Sequence, residues 1–256
     1  MNLQMPTKSA QDYKSKSQKM RIMSESWAEQ NLYCPCCGHS SLQRFPNNRS
    51  VADLYCPQCQ EQFELKSKAR SVGRIVPDGA YQTMIQRIQS EQNPNFFFLN
   101  YWDERFAVRD LMIVPKHFFS PNVIQKRKPL NPAARRAGWV GCNILIANIP
   151  EAGKIYLVQN ERSLPAREVV EKYRKTAFIA EYKSEIRGWL LDVLNCVEQI
   201  PAVCFSLQEL YQFEEKLRLL YPYNRHICAK IRQQLQILRD HSLIEFWGKG
   251  QYRKRL

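Results

Sequence analysis

At 256 residues the chain is long enough for two domains, or one large one, around an ordinary buried core. Its 38 Lys and Arg against 24 Asp and Glu give a formal charge of +14, an excess that favours a polyanionic partner, either nucleic acid or an acidic membrane surface. Aromatic and aliphatic residues are spread throughout, which excludes wholesale disorder; no apolar run is long enough for a membrane span, and no signal peptide stands near Met1.

In chain order, residues 1 to about 12 carry no periodic pattern and are expected to fray. The spacing of Met20, Ile22, Met23 and Trp27 predicts an amphipathic helix over Ser17 to Asn31. A cysteine-rich region follows, with short strands expected at Val51 to Tyr55 and Gln62 to Lys66. Asp78 to about Glu91 reads as a helix that stops before Asn93-Pro94, because the residue preceding proline resists the helical region. Phe96 to Tyr101, Leu111 to Val114 and Lys154 to Val158 read as strands. Ile124 to Trp139 contains prolines and no acidic residue, and carries Lys126, Arg127, Lys128, Arg135 and Arg136; it reads as a basic loop ending on a flat aromatic.

Beyond about Tyr182 the pattern turns helical. Glu185 to Gln199 predicts a first helix with Ile186, Leu190, Val193, Leu194 and Val197 as its apolar stripe. Ser206 and Glu209 form a capping box that opens a second helix over Leu207 to Leu220. A third, Asn224 to Asp240, alternates basic groups with Ile227, Ile231, Leu235 and Leu238. Leu243 to Trp247, a turn at Gly248 to Gly250, and Tyr252 to Arg255 make a basic hairpin. Three helices and a basic two-stranded wing constitute a winged-helix arrangement. The expected architecture is therefore a mixed α/β catalytic domain over 1–182 and a winged-helix DNA-binding domain over 183–256.

Two chemical signatures are interleaved between Cys34 and Lys66. Cys34, Cys37, Cys56 and Cys59 form two C-x-x-C pairs separated by 18 residues, a zinc-ribbon spacing. Cys36 also offers a Cys34/Cys36 pairing, but the two-residue gap followed by Gly38 favours Cys37. With all four ligands cysteine, no position remains for a reacting water, so such a zinc is structural. Nine cysteines, an odd number, without an export signal fit a reducing cytoplasm; Cys36, Cys142, Cys196, Cys204 and Cys228 read as core or boundary residues. The four histidines (His39, His117, His226, His241) show no metal-ligand spacing, and no Gly-rich phosphate loop is present.

The second signature is Asp53, Glu64 and Lys66. On a strand, Glu64 and Lys66 point to one face and Phe63 and Leu65 to the other. A hairpin can bring the Asp53 carboxylate beside Glu64, and two converging carboxylates suit Mg²⁺. Lys66 would orient a water or neutralise charge developing on a phosphate. An E-x-K triplet alone also occurs on any solvated strand face.

The set resembles the D…E-x-K core of the PD-(D/E)xK nucleases, and the wider chain resembles the DpnI type of methyl-directed restriction endonuclease. The stretches that carry this are Tyr33-Cys34-Pro35-Cys36-Cys37-Gly38, Val51-Ala52-Asp53, Phe63-Glu64-Leu65-Lys66-Ser67-Lys68, Asp78-Gly79-Ala80-Tyr81, Asn93-Pro94-Asn95-Phe96-Phe97-Phe98-Leu99, Ala134-Arg135-Arg136-Ala137-Gly138-Trp139 and Ile231 to Asp240. The resemblance implies a type II restriction endonuclease that cleaves duplex DNA at GATC when its adenine is N6-methylated. It implies Asp53, Glu64 and Lys66 as catalytic positions, with Asp53, Glu64 and the Leu65 carbonyl holding Mg²⁺. It also implies Cys34, Cys37, Cys56 and Cys59 as ligands of a structural Zn²⁺, and a bacterial-type cytoplasmic enzyme. The leading dozen residues, Cys36 and parts of Asn160 to Ile186 fit the family pattern less clearly.

An N6-methyl group adds an apolar bump to the major groove, so its reader needs a flat or apolar surface. Trp139 is the candidate surface, with Arg135 and Arg136 on phosphate or guanine; a core tryptophan beside a solvated basic patch is the bland alternative. Arg225, His226, Arg232 and Gln233 on the third helix would meet base edges or phosphates, and Lys249, Arg253 and Lys254 would grip the backbone from the wing. The expected solution state is a monomer, with a transient dimer on DNA as the alternative. Two other functions use the same residues: a structure-directed repair nuclease, and a non-catalytic reader of methylated DNA.

Overall fold

The computed structural model describes residues 1–45 and 52–255. Val51, expected to open the strand next to Asp53, lies outside the described residues. In chain order the elements are α1 (Lys16–Asn31), β1 (Gln43–Arg44), β2 (Leu54–Tyr55), β3 (Gln62–Ala69), β4 (Ile75–Ala80), α2 (Tyr81–Gln89), β5 (Asn95–Trp102), β6 (Ala107–Val114), β7 (Ile124–Lys126), β8 (Gly141–Leu145), β9 (Ile155–Gln159), β10 (Arg162–Ser163) and α3 (Ala166–Thr176). The C-terminal part adds α4 (Ser184–Gln199), β11 (Cys204–Ser206), α5 (Leu207–Tyr211), α6 (Glu214–Leu220), α7 (Ile227–Asp240), β12 (Ile244–Gly248) and β13 (Gln251–Lys254). The chain packs as two compact units: Met1–Val76 with Gln92–Lys116 and Gly153–Thr176, and Pro77–Glu91 with His117–Ala152 and Ala177–Leu256. The boundary expected near residue 182 cuts the chain in sequence, whereas this division follows packing and crosses the chain several times.

The first unit is built on a seven-stranded mixed sheet in the order β1-β2-β3-β5-β6-β9-β10. Asn95-Phe-Phe-Phe-Leu-Asn-Tyr makes β5 buried on both faces, as a central strand must be. It runs parallel to β3 and antiparallel to β6. Phe97 and Leu99 face the main core with Phe63, Val108, Leu111 and Leu157, while Phe96 and Phe98 stack on the opposite face. Each fully buried side chain of this kind contributes about 1.5–3 kcal/mol. Helix α1 closes the main core with Met20, Met23, Trp27 and Ala28, a helical-period stripe.

The first dozen residues do not fray. Leu3 and Met5 bond the backbone of Val108 and Phe106 at the start of β6, Met5 is buried, and the Asn2 carbonyl accepts from the Trp27 indole at 2.7 Å. An irregular segment has no periodicity to detect, yet it can still satisfy the strand end it covers. Helix α3 is a second element that the sequence pattern does not predict; its buried Val169 and Tyr173 join the same core.

Strands β4, β8 and β7 form a three-stranded sheet in that order, with β4 from Pro77 onward in the second unit. Asp78–Ala80, expected to start a helix, finishes strand β4 instead, and α2 begins at Tyr81. Pro77 lacks an N–H and is tolerated because β4 is an edge strand. The basic loop is the long connection of a β-hairpin, since Ile124, Gln125 and Lys126 pair with Ile144, Asn143 and Cys142.

Helix α4 is buried over most of its length and acts as the central post, with Leu190, Val193, Leu194 and Val197 inside. Its Arg187, also buried, donates to the Ile88 carbonyl at 3.3 Å and to Glu91 at 3.1 Å. Asp192 accepts from Tyr221 at 2.6 Å and Asn122 at 2.7 Å. The capping box at Ser206 and Glu209 is present. The helix it opens breaks at Phe213 and restarts as α6, where Glu214 and Glu215 suit a helix N-terminus. The wing has three strands, β11-β13-β12, because Cys204–Ser206 adds to the expected hairpin. The protein is thus mixed α/β with a four-cysteine cluster and a C-terminal helix-turn-helix with a wing, in line with the expected fold class.

Helix α7 buries Ile227, Ile231, Leu235 and Leu238, and among them Gln234 at 0% exposure. Among the described residues its Oε1 has no hydrogen-bond partner, and its amide donates to Gln233 at 3.4 Å. A buried acceptor without a donor costs about 1–3 kcal/mol. Gln234→Met, of similar shape, is therefore expected to raise the thermal midpoint by about 2–4 °C; a lower midpoint would show that this acceptor has a partner.

Candidate metal centre and catalytic hairpin

The two C-x-x-C turns fold alike. Gly38 N–H donates to the Cys34 carbonyl and Gln60 N–H to the Cys56 carbonyl, while Cys34 and Cys56 N–H donate to the His39 and Glu61 carbonyls. Each turn needs a left-handed residue after its second cysteine: Gly38 at φ 87° and Gln60 at φ 60°. Together they gather the sulfurs of Cys34, Cys37, Cys56 and Cys59 within 4.8 Å of one another. The Cys34–Cys59 and Cys37–Cys56 sulfurs are both 3.6 Å apart. Four thiolates on a zinc at about 2.3 Å would stand roughly 3.8 Å apart, so the donor set fits a tetrahedral ion. Cys36 is outside this set.

The local fields act on the four thiols in opposite directions. Burial works to raise the Cys56 thiol, but the amides of Cys59 and Gln58 outweigh it and bring it down to about 7. The Cys34 thiol is pushed up by its hydrogen bond with Cys36 and then by burial, and burial also raises Cys37 and Cys59. Crowded, half-desolvated thiols resist becoming thiolates together; a central dication removes that resistance.

The second turn leads straight into the candidate catalytic hairpin. Leu54 and Tyr55 pair with Phe63 and Gln62, and Asp53 N–H donates to the Phe63 carbonyl at 3.0 Å. The Asp53 carboxylate reaches across: its Oδ2 accepts from the Leu65 amide at 2.7 Å. Glu64 and Lys66 are ion-paired and project from the face opposite Phe63, beside Phe96, with Lys66 Nζ 6.0 Å from that ring. A network below locks the strand. Buried Asn95 donates to Glu61 at 2.9 Å and accepts from Tyr173 at 2.9 Å, while Lys116 pairs with Glu61 at 2.8 Å. Asp53, Glu64, Leu65 and Lys66 therefore lie together on the strand pair that the second C-x-x-C turn terminates.

Glu25 carries no motif that marks it in the sequence. It sits on α1 at 6% exposure, bound by Arg21 and Arg44 at 2.6 Å each. The clue available in the sequence is a charged residue on the buried side of an apolar stripe. Burial pushes the Asp53 carboxyl up, the Leu65 amide pulls it down, and the nearby Glu25 charge adds to the rise. A half-dry corner with crowded carboxylates is one that a hard cation would stabilise.

In the second unit, Arg135 and Arg136 are exposed on the β7–β8 connection, and Arg136 covers the Trp139 ring at 4.7 Å. A Cβ on Gly141 would meet two ring atoms of Trp139 at 2.8 Å, so the indole rests on that glycine. Tyr81, whose N–H donates to the Val140 carbonyl, carries Lys126 over its own ring at 5.7 Å. On α7 the residues Arg232, Gln233 and also Gln236 are exposed, with Arg225 and His226 on the turn before it. Arg232 donates to the Tyr211 hydroxyl at 2.7 Å. On the wing Lys249 is exposed, Arg253 lies 3.7 Å from Glu245, and the Lys254 ammonium bonds the Ile200 carbonyl.

Among the described residues no helix is long and apolar enough to cross a membrane. Compared with known families, residues 1–182 match the family described as DpnI, Dam-replacing family, and residues 185–254 match the Dam-replacing HTH domain.

Proposed function

Because the chain belongs to the DpnI, Dam-replacing family, we propose that it is a Mg²⁺-dependent type II endonuclease of the PD-(D/E)xK kind, cutting duplex DNA at GATC sites that carry N6-methyladenine. The observation that carries the reading is the fixed Asp53 carboxylate, bonded to Leu65 N–H between Glu64 and Lys66. One oxygen of Asp53 is used structurally, which leaves its other oxygen, Glu64 and the Leu65 carbonyl for Mg²⁺. The ion would supply positive charge that polarises the scissile phosphate and acidifies a nearby water. Lys66, now paired with Glu64, is placed to orient that water or to offset charge growing on the phosphate. The zinc of the four cysteines acts only by holding the hairpin.

Arg135 and Arg136 would hold phosphate or guanine, and Trp139 would meet the adenine methyls. A methyl removed from water is worth about 0.8 kcal/mol, and a fully methylated GATC carries two, so Trp139→Ala is expected to reduce the preference for methylated sites on the order of tenfold. Gly141→Ala, which displaces the same ring without removing it, is expected to act in the same direction and to shift tryptophan fluorescence. An unchanged methyl preference in both variants would return Trp139 to a packing role. Arg225, Arg232 and Gln233 on α7, with Lys249, Arg253 and Lys254 on the wing, are the proposed contacts of the second DNA-binding element.

The deciding experiment incubates the protein and Mg²⁺ with three plasmids: adenine-methylated, unmethylated, and methylated but lacking GATC. Cutting of the first alone is expected. Cutting of all three would indicate a structure-directed or nonspecific nuclease, and binding of the first without cutting would indicate a reader.

A further inference from the structure

Of the five tryptophans, Trp27 and Trp189 are buried and Trp102 and Trp139 half-buried, but Trp247 is 61% exposed. It sits in the wing, where the pairing of β12 with β13 slips between Phe246 and Gly248. A bulge at that point frees Trp247 from the ladder and re-aims its side chain. Its indole is backed by Arg253, whose guanidinium lies 4.9 Å from the ring, and Arg253 is in turn near Glu245. Glu245 is shared with Arg255 at 2.5 Å. The wing cations are thus largely engaged: Lys254 on the Ile200 carbonyl, Arg253 on Glu245 and Trp247, Arg255 on Glu245. Lys249, at the tip, is exposed. The wing therefore offers solvent an aromatic plate on a basic mount, at the end of the segment matched to the HTH domain.

We propose that Trp247 is a nucleic-acid contact residue: the wing lays this indole against sugars and base edges of duplex DNA, beside the exposed phosphate-seeking charge of Lys249. The occupant is a polyanion because the surround is basic, with Lys249, Arg253 and Arg255 against a single Glu245. An apolar plate beside such charges contributes affinity that salt does not screen. The inference rests on the reading of the C-terminal unit as DNA-binding and extends it to a residue and an energetic class.

The test is the affinity of the full chain for a labelled, adenine-methylated GATC duplex, measured by anisotropy at several salt concentrations without Mg²⁺. Trp247→Ala is expected to weaken binding on the order of tenfold with the salt slope unchanged. Trp247→Phe should recover most of that loss, and both should melt like wild type, since the side chain is exposed. Lys249→Ala should instead lower the slope by about 0.9. Wild-type affinity in Trp247→Ala would overturn the inference. So would a changed slope, which would mean that the indole only positions Arg253. Unchanged affinity with a shift in oligomeric state would assign the plate to self-association. Failure of the wild-type chain to bind the duplex at all would instead sink the DNA-binding reading on which the inference stands.

Discussion

Asp53→Ala is expected to lower the rate of strand cleavage by at least on the order of 10³-fold while leaving DNA affinity and zinc content near those of wild type. The change removes the carboxylate that spans the hairpin and leaves the Leu65 amide without its acceptor. Part of any effect could then come from a loosened hairpin, so Asp53→Asn is the sharper variant. Its amide oxygen can still accept from Leu65, and it removes one of the carboxylates crowded near Glu25. Asp53→Asn should therefore melt no earlier than wild type in the absence of Mg²⁺ and still fail to cut. Lys66→Met deprives Glu64 of its ion-pair partner and should cost about 10²–10³-fold. Robust cleavage by either Asp53→Asn or Lys66→Met would dismiss this hairpin as the catalytic centre.

Cys56→Ser is expected to release the zinc and to lower the thermal midpoint by more than about 10 °C, or to prevent folding of the first unit altogether. Zinc in small structural sites contributes about 10–16 kcal/mol, as much as the whole net stability of a typical domain. Here the ion would also join two chain segments that share few regular contacts: β1 and β2 are two residues each and leave little ladder to hold the turn. Strong chelation should mimic the substitution and abolish cleavage even with Mg²⁺ restored. Cys36→Ser is the matched control; its sulfur is outside the four, so one zinc per chain should remain. Full zinc in Cys56→Ser, or a melt indifferent to chelation, would show that the four thiols are packing groups.

Residues whose chemistry sits in short spacing are the most legible in this chain. C-x-x-C turns, the E-x-K strand and the Ser206 capping box are local, and each formed where expected. Helical stripes in α1, α4 and α7 were also legible, because burial imposes a 3.6-residue period wherever the partner lies. The leader was misread because its order comes from β6, not from its own pattern. Asp78–Ala80 was misread because edge pairing with β8 overrode a helical run, and the basic loop became a hairpin for a related reason. Strand β11 is too short to show a period and exists only because β13 offers it a partner.

Residue order alone announces which groups are available: four cysteines in two turns, and two carboxylates and a lysine on adjoining strands. Tertiary structure alone decided the geometry. It set the Asp53 oxygen on the Leu65 amide, brought the buried Glu25 near it, and left Trp247 in the open. The physical reason is range. Spacing and side-chain type act within a few residues, whereas burial, field and hydrogen-bond partners are set by segments tens of residues away that no local pattern announces.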